Sequence, residues 1–170
     1  MNIYLQRIVA GLSAAATALL VACGGGGSDA GGAASESVYQ GTIGGFGSII
    51  LNGVRFEDRA ATITVDDELV SVGALKLGMR AEIKGSVAGD GVTGTATSCV
   101  IETAVRGAVA SVDTATSSFM IRGISVQTDD KTVFEGASNL AALKVGDWVE
   151  VHGSVDFVNR KVQATRVEVK

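Results

Sequence analysis

Residues 75–87, LKLGMRAEIKGSV, recur as LKVGDWVEVHGSV at residues 143–155, with seven of thirteen positions identical at an offset of 68. Upstream, Ser48-Ile49-Ile50-Leu51-Asn52-Gly53-Val54 matches Ser118-Phe119-Met120-Ile121-Arg122-Gly123-Ile124 at an offset of 70, and downstream Ala96-Thr97 matches Ala164-Thr165 at 68. A fixed period with small insertions marks an internal repeat. Whatever this chain folds into, it must build the same unit twice, over residues 38–103 and 104–170.

Inside each unit the hydrophobic period is two. Ala81, Ile83, Gly85 and Val87 alternate with Arg80, Glu82, Lys84 and Ser86, and Val149, Val151, Gly153 and Val155 with Trp148, Glu150, His152 and Ser154. That alternation predicts strands with one buried face and one wet face. Asn52-Gly53, between Ile49-Ile50-Leu51 and Val54-Arg55-Phe56, is a strong hairpin signal. Ala88-Gly89-Asp90-Gly91 and Asp156-Phe157-Val158-Asn159-Arg160 are expected to turn the last strand pair of each copy. A short helix-compatible piece precedes each central strand, clearest at residues 138–143, and Gly78 and Gly146 stand where a left-handed residue ends such a turn. The chain has no proline, so its turns rest on glycine, Asn and Asp. Three strands, a helical turn and two strands describe an all-β fold of two tandem, five-stranded, OB-like Greek-key barrels. A single larger sandwich drawing strands from both copies is the alternative.

The N-terminus carries a different signal. Residues 8–22 hold no charge and follow Arg7, the only basic residue upstream. Their length, about 15 residues, is short of the ~20 that a spanning helix needs. A basic start, an apolar run and small residues before a cut point read as a secretory leader. Leu20-Val21-Ala22-Cys23 followed by Gly24-Gly25-Gly26-Gly27-Ser28 looks like a bacterial lipoprotein signal, cut between Ala22 and Cys23 with acyl chains on Cys23. The expected layout is a removed leader (1–22), a lipidated cysteine with a Gly/Ser-rich tether (23–37) and the two repeats. Two or three acyl chains hold a protein on a bilayer, whereas one is marginal. Gly24, in place of the Asp that resembles an inner-membrane retention signal, points to the outer membrane of a Gram-negative cell, facing the periplasm or the outside.

Without Arg7 the chain has 13 basic and 18 acidic residues, a net charge of about −5. A nucleic-acid partner needs the opposite balance. With Cys23 acylated, Cys99 has no disulfide partner within the chain; it aligns with Val167 and is expected to point inward, a reactive or dimer-forming thiol being the alternative.

Gly41-Thr42-Ile43, Phe46-Gly47-Ser48, Asn52-Gly53-Val54-Arg55-Phe56 and Leu75-Lys76-Leu77-Gly78 resemble an uncharacterised β-domain family of secreted bacterial proteins, a domain of unknown function often found in tandem behind a lipobox. The resemblance implies fold and location and carries no catalytic residues. The second copy departs from it at Asp113-Thr114-Ala115-Thr116, where the first has Phe46-Gly47.

Other constellations read as scaffold. Residues 41–47 are glycine-rich but lack the following lysine and helix of a phosphate loop. Asp66-Asp67-Glu68 and Asp129-Asp130 fall at turns without a calcium-loop spacing. No cofactor or metal is expected beyond the lipid on Cys23. The candidate binding surface is Trp148, Glu150 and His152, a wet-face stripe about 13 Å long at ~3.3 Å per residue. An exposed Trp flanked by polar groups suits a sugar or a partner side chain. Alternatively, Trp148 packs at the contact between the units. The leading expectation is a non-enzymatic, acyl-anchored envelope protein that binds a partner protein or envelope glycan. A structural spacer and a small hydrolase or metal enzyme built on the only histidine, His152, are the alternatives.

Overall fold

The computed structural model describes residues 36–170; the leader, Ala22, Cys23 and most of the expected tether lie outside the described residues. In the first repeat β1 (Ser37–Gly45), β2 (Ile49–Leu51) and β3 (Val54–Glu57) form an antiparallel meander. A short hairpin, β4 (Thr62–Val65) and β5 (Glu68–Leu69), and a 3₁₀ turn at Val72–Ala74 lead to β6 (Arg80–Val87) and β7 (Thr93–Ile101). β6 pairs with β1, β7 with β6, and β3 lies parallel to β7, so five strands close into a ring. This is the strand order of an OB-like barrel, and closure removes the exposed edges.

The second repeat copies the plan: β8 (Val105–Asp113), β9 (Ser118–Ile121), β10 (Ile124–Gln127), β11 (Val133–Glu135), a 3₁₀ turn at Leu140–Ala142, β12 (Trp148–Asp156) and β13 (Lys161–Val169). Its ring closes through parallel pairing of β10 with β13. The expected pair of five-stranded barrels is therefore what forms. The barrels also have strands that the sequence pattern did not resolve: β4 on β7 and β11 on β13 are parallel additions of three or four residues, and β5 pairs antiparallel with β4. Such segments are too short to show a clear alternation.

The turns follow their residues. Asn52 and Gly53 have φ of 52° and 84°, the left-handed pair of a tight hairpin. The helix-compatible pieces settle as single 3₁₀ turns, the second capped where Asn139 Oδ1 accepts from the Ala142 N–H at 3.2 Å. Closure needs bends, and they fall at matching places. The register slips at Lys84/Gly85 and at His152/Gly153, so Thr97 and Thr165 bulge out of β7 and β13. A Cβ on Gly85 or Gly153 would lie 2.1 Å from a partner-strand carbonyl oxygen. Glycine is required there for close approach.

Each barrel has its own core, closed by described residues alone. In the first, Ile49 faces Phe56 across β2–β3; at the same places in the second, Phe119 faces Val126. The large ring changes strand while the pair stays one aromatic and one aliphatic. Exchanges that hold summed volume disturb a packed core least. Cys99 points inward between Ile63 and Ile83, as expected, and burial first, then Asp58, pushes its thiol up to about 11.

Candidate functional site

The chemistry-bearing side chains gather where the first repeat meets the second. The Leu77-Gly78 turn that ends the first repeat's 3₁₀ segment lies against β11 and β13. Gly78 has φ of 83°, and a Cβ there would sit 2.7 Å from Thr165 O and 3.0 Å from side-chain atoms of both Arg166 and Val133. Gly146, its counterpart, has φ of 98° and nothing within 4 Å. The glycine demanded by the turn is therefore also demanded by the joint, but only in the first copy.

Arg166, 2 % exposed, spans this joint. One guanidinium nitrogen donates to Leu77 O at 3.1 Å, and another pairs with Glu135 and with Glu168 Oε2 at 3.0 Å. Glu168 is held below the usual carboxylate range. Partial burial works against this, and the hydrogen bonds from Lys170 and Arg166 outweigh it. On the linker side, Asp66 accepts from the Thr103 N–H at 2.7 Å and the Thr103 hydroxyl at 2.8 Å, and pairs with Arg106 of β8. Its carboxyl also titrates low. Partial burial is again the opposing influence, overcome by Thr103 and Arg106. The Asp66-Asp67 turn thus staples the first barrel to the start of the second.

His152 corrects an expectation. The strand alternation assigned it to the wet face with Trp148 and Glu150, yet it is 0 % exposed. Its side chain does leave the barrel interior, but the inter-repeat linker covers it. Nδ1 lies 3.3 Å from Glu102 O, which only accepts, so Nδ1 carries the proton. Nε2 stands 3.4 Å from Glu150 Oε1 without hydrogen-bond alignment. Burial pushes the imidazole pKa below its ordinary value, against the pull of the Glu150 carboxylate and the Glu102 carbonyl. Of the expected stripe, Glu150 and His152 are brought together, whereas Trp148 stays 54 % exposed at the start of β12, opposite Ala108. Val155, assigned to the buried face, is partly exposed near the end of its strand.

The pH dependence follows from the direction of the His152 shift. The unfolded chain takes up the proton first, so stability is complete above about pH 6.5 and falls below it, by at most about 1.4 kcal/mol per pH unit. Asp66 and Glu168 titrate low in the folded state, so their contributions disappear only at more acidic pH. Urea midpoints should drop between pH 7.5 and pH 5.5 in the native chain, and His152→Gln should flatten that drop.

Between the barrels a cleft of about 410 Å³ is lined from the first repeat by Val65, Asp66 and Met79, and from the second by Arg106, Glu150 and Lys170. Its walls carry both cations and carboxylates. Among the described residues, no group of three or more His, Cys, Asp or Glu side chains is placed to hold a metal ion. Asp66-Asp67 and Asp129-Asp130 act as turn and joint acids, Asp129 Oδ1 accepting from the Lys131 N–H at 2.9 Å. Arg166 was not singled out from the sequence. The available signal was its alignment with Ser98, a neutral residue at the same place in the first copy.

The closed strand order and the shared joint define a tandem OB-like barrel protein. The sequence model of the family described as Domain of unknown function (DUF5666) matches residues 40–98 and again 106–168. The chain belongs to this family and carries two copies of its domain. No curated protein and no solved structure matches it.

Proposed function

We propose that this chain is a non-enzymatic, acyl-anchored envelope protein whose two joined barrels display a binding surface for a partner protein or an envelope glycan. The observation that carries the reading is Leu20-Val21-Ala22-Cys23, directly ahead of a Gly/Ser-rich stretch and two barrel repeats. Cys23 would bear the lipid in the outer membrane, and the barrels would face the periplasm or the outside.

What supports display is the contrast along β12. Glu150 and His152 are drawn into the joint, while Trp148 keeps a half-exposed indole. A Trp ring offers a large, rigid contact area with one polar tip, a combination enriched at binding surfaces. The joint supports a non-enzymatic role as well, since the only histidine is covered by the linker and tied to Glu102. Crosslinking in intact cells, followed by identification of the captured species, tests the reading. Trp148→Ala should abolish capture and leave the melting temperature within about a degree or two, because the ring is half-solvated. Capture that survives the substitution contradicts a Trp148 surface, and a chain that captures nothing is a spacer.

A further inference from the structure

The β12–β13 hairpin carries an exposed apolar pair that neither barrel core nor the joint uses. Phe157 is 87 % exposed and Val158 91 %. The turn beneath them is tightly built. Asp156 Oδ1 accepts the Val158 and Asn159 N–H groups at 3.0 Å each, and Asn159 Nδ2 donates to Asp156 Oδ2 at 2.7 Å. The Asp156 carboxylate is thereby directed into the turn, and the two apolar side chains are held outward.

Two cations adjoin this tip. Arg160 and Lys161 follow it directly, and an Arg160 guanidinium nitrogen lies 3.3 Å from where a Cβ on Gly123 would stand. The β9–β10 turn thus adjoins Arg160, while the Arg122 side chain lies along β8, its Cδ 3.1 Å from where a Cβ on Gly107 would stand. Neither takes an ion-pair partner within 4 Å among the described residues, although Lys161 stands opposite Asp156 across the hairpin and, after the Asn159 hydrogen bonds, helps to hold its carboxyl low. The first repeat has Gly89, Asp90, Val92 and Thr93 where the second has Phe157, Val158, Arg160 and Lys161. The apolar pair and its basic collar are thus confined to one copy. In an acidic chain, a local basic rim of this kind attracts an anionic surface.

We infer that the Phe157-Val158 tip docks into the headgroup layer of an anionic phospholipid bilayer, with Arg160 and Lys161 against the lipid phosphates. Apolar residues beside a basic rim are the pattern of interfacial membrane contacts. The inference rests on the proposed anchor for its setting. Residues 23–36 span at most about 45 Å when extended, enough for the barrel to lie against the membrane that holds Cys23. Trp148 is at the other end of β12, up to about 30 Å away at ~3.3 Å per residue. The docked tip and the proposed binding surface therefore use opposite ends of β12.

The test uses unacylated residues 24–170, which contain both cores, mixed with phosphatidylglycerol-containing vesicles. The native chain should sediment with these vesicles, less with pure phosphatidylcholine, and less as salt is raised. Phe157→Asp with Val158→Asp should cut the bound fraction at least about tenfold with an unchanged melting temperature. In a Trp148→Phe background, Phe157→Trp should show a blue-shifted emission on vesicle addition. No sedimentation of the native chain, equal sedimentation of the double variant, or an unshifted emission from the Phe157→Trp reporter overturns the inference. So does a photo-crosslinker at position 157 that captures protein and not lipid in cells. Because the test chain carries no acyl group, its result is independent of whether Cys23 is acylated.

Discussion

Gly78→Ala is expected to lower stability by about 2–4 kcal/mol, whereas Gly146→Ala should lose only about 1 kcal/mol. Both residues hold left-handed backbone, which costs a non-glycine residue roughly 1–2 kcal/mol. Alanine recovers about 0.4–1 kcal/mol by restricting the unfolded chain. The difference between the sites is the neighbour. At Gly146 the methyl enters open space; at Gly78 it meets the Thr165 carbonyl oxygen at 2.7 Å, and backbone cannot swing aside as a side chain can. Overpacking of this kind adds roughly 1–3 kcal/mol. Urea unfolding of both variants measures the gap. Equal losses would mean that the first repeat's turn does not press on the second barrel.

Arg166→Met is the second large effect, expected at about 2–3 kcal/mol. Removing one member of a buried ion cluster typically costs roughly 3–5 kcal/mol, because the remaining charges stay desolvated. Here Glu135 is about half exposed and Glu168 partly so, and solvent reduces the loss. The Leu77 carbonyl oxygen also loses its cross-repeat donor. Adding Glu168→Gln to Arg166→Met should cost less than the sum of the single variants, since the two groups share one interaction. Ser98→Ala, the counterpart in the first repeat, should stay within about 0.5 kcal/mol. Scanning calorimetry adds a distinct readout: with the joint weakened, one cooperative transition should separate into two, one per barrel.

These variants act where the sequence pattern was hardest to read. The barrels themselves were legible, because a period of two, an Asn-Gly hairpin and paired left-handed glycines each report local backbone geometry. The duplication then required both copies to use one topology. Alternation distinguishes the inside of a barrel from its outside, but it does not say whether the outside is wet. His152 lies on the outer side of β12 and is buried where the linker residue Glu102 covers it. The polar residues Arg80, Glu82 and Lys84 occupy the same places in the first repeat, where no such cover exists over Glu82 and Lys84. Departures between the copies were the usable signal. Arg166 against Ser98, His152 against Lys84, and Phe157-Val158 against Gly89-Asp90 mark positions where the two copies differ in chemistry.

Placement of this pair of barrels at a lipid surface through Cys23 is tested most directly by intact-mass analysis of the chain purified from its own membranes. The predicted product begins at Cys23 and carries a diacylglycerol group on sulfur, usually with a further acyl chain on the new amine. A native product with an unmodified Cys23, or with its N-terminus at another residue, would contradict the anchored reading and leave two joined barrels without an assigned place in the cell.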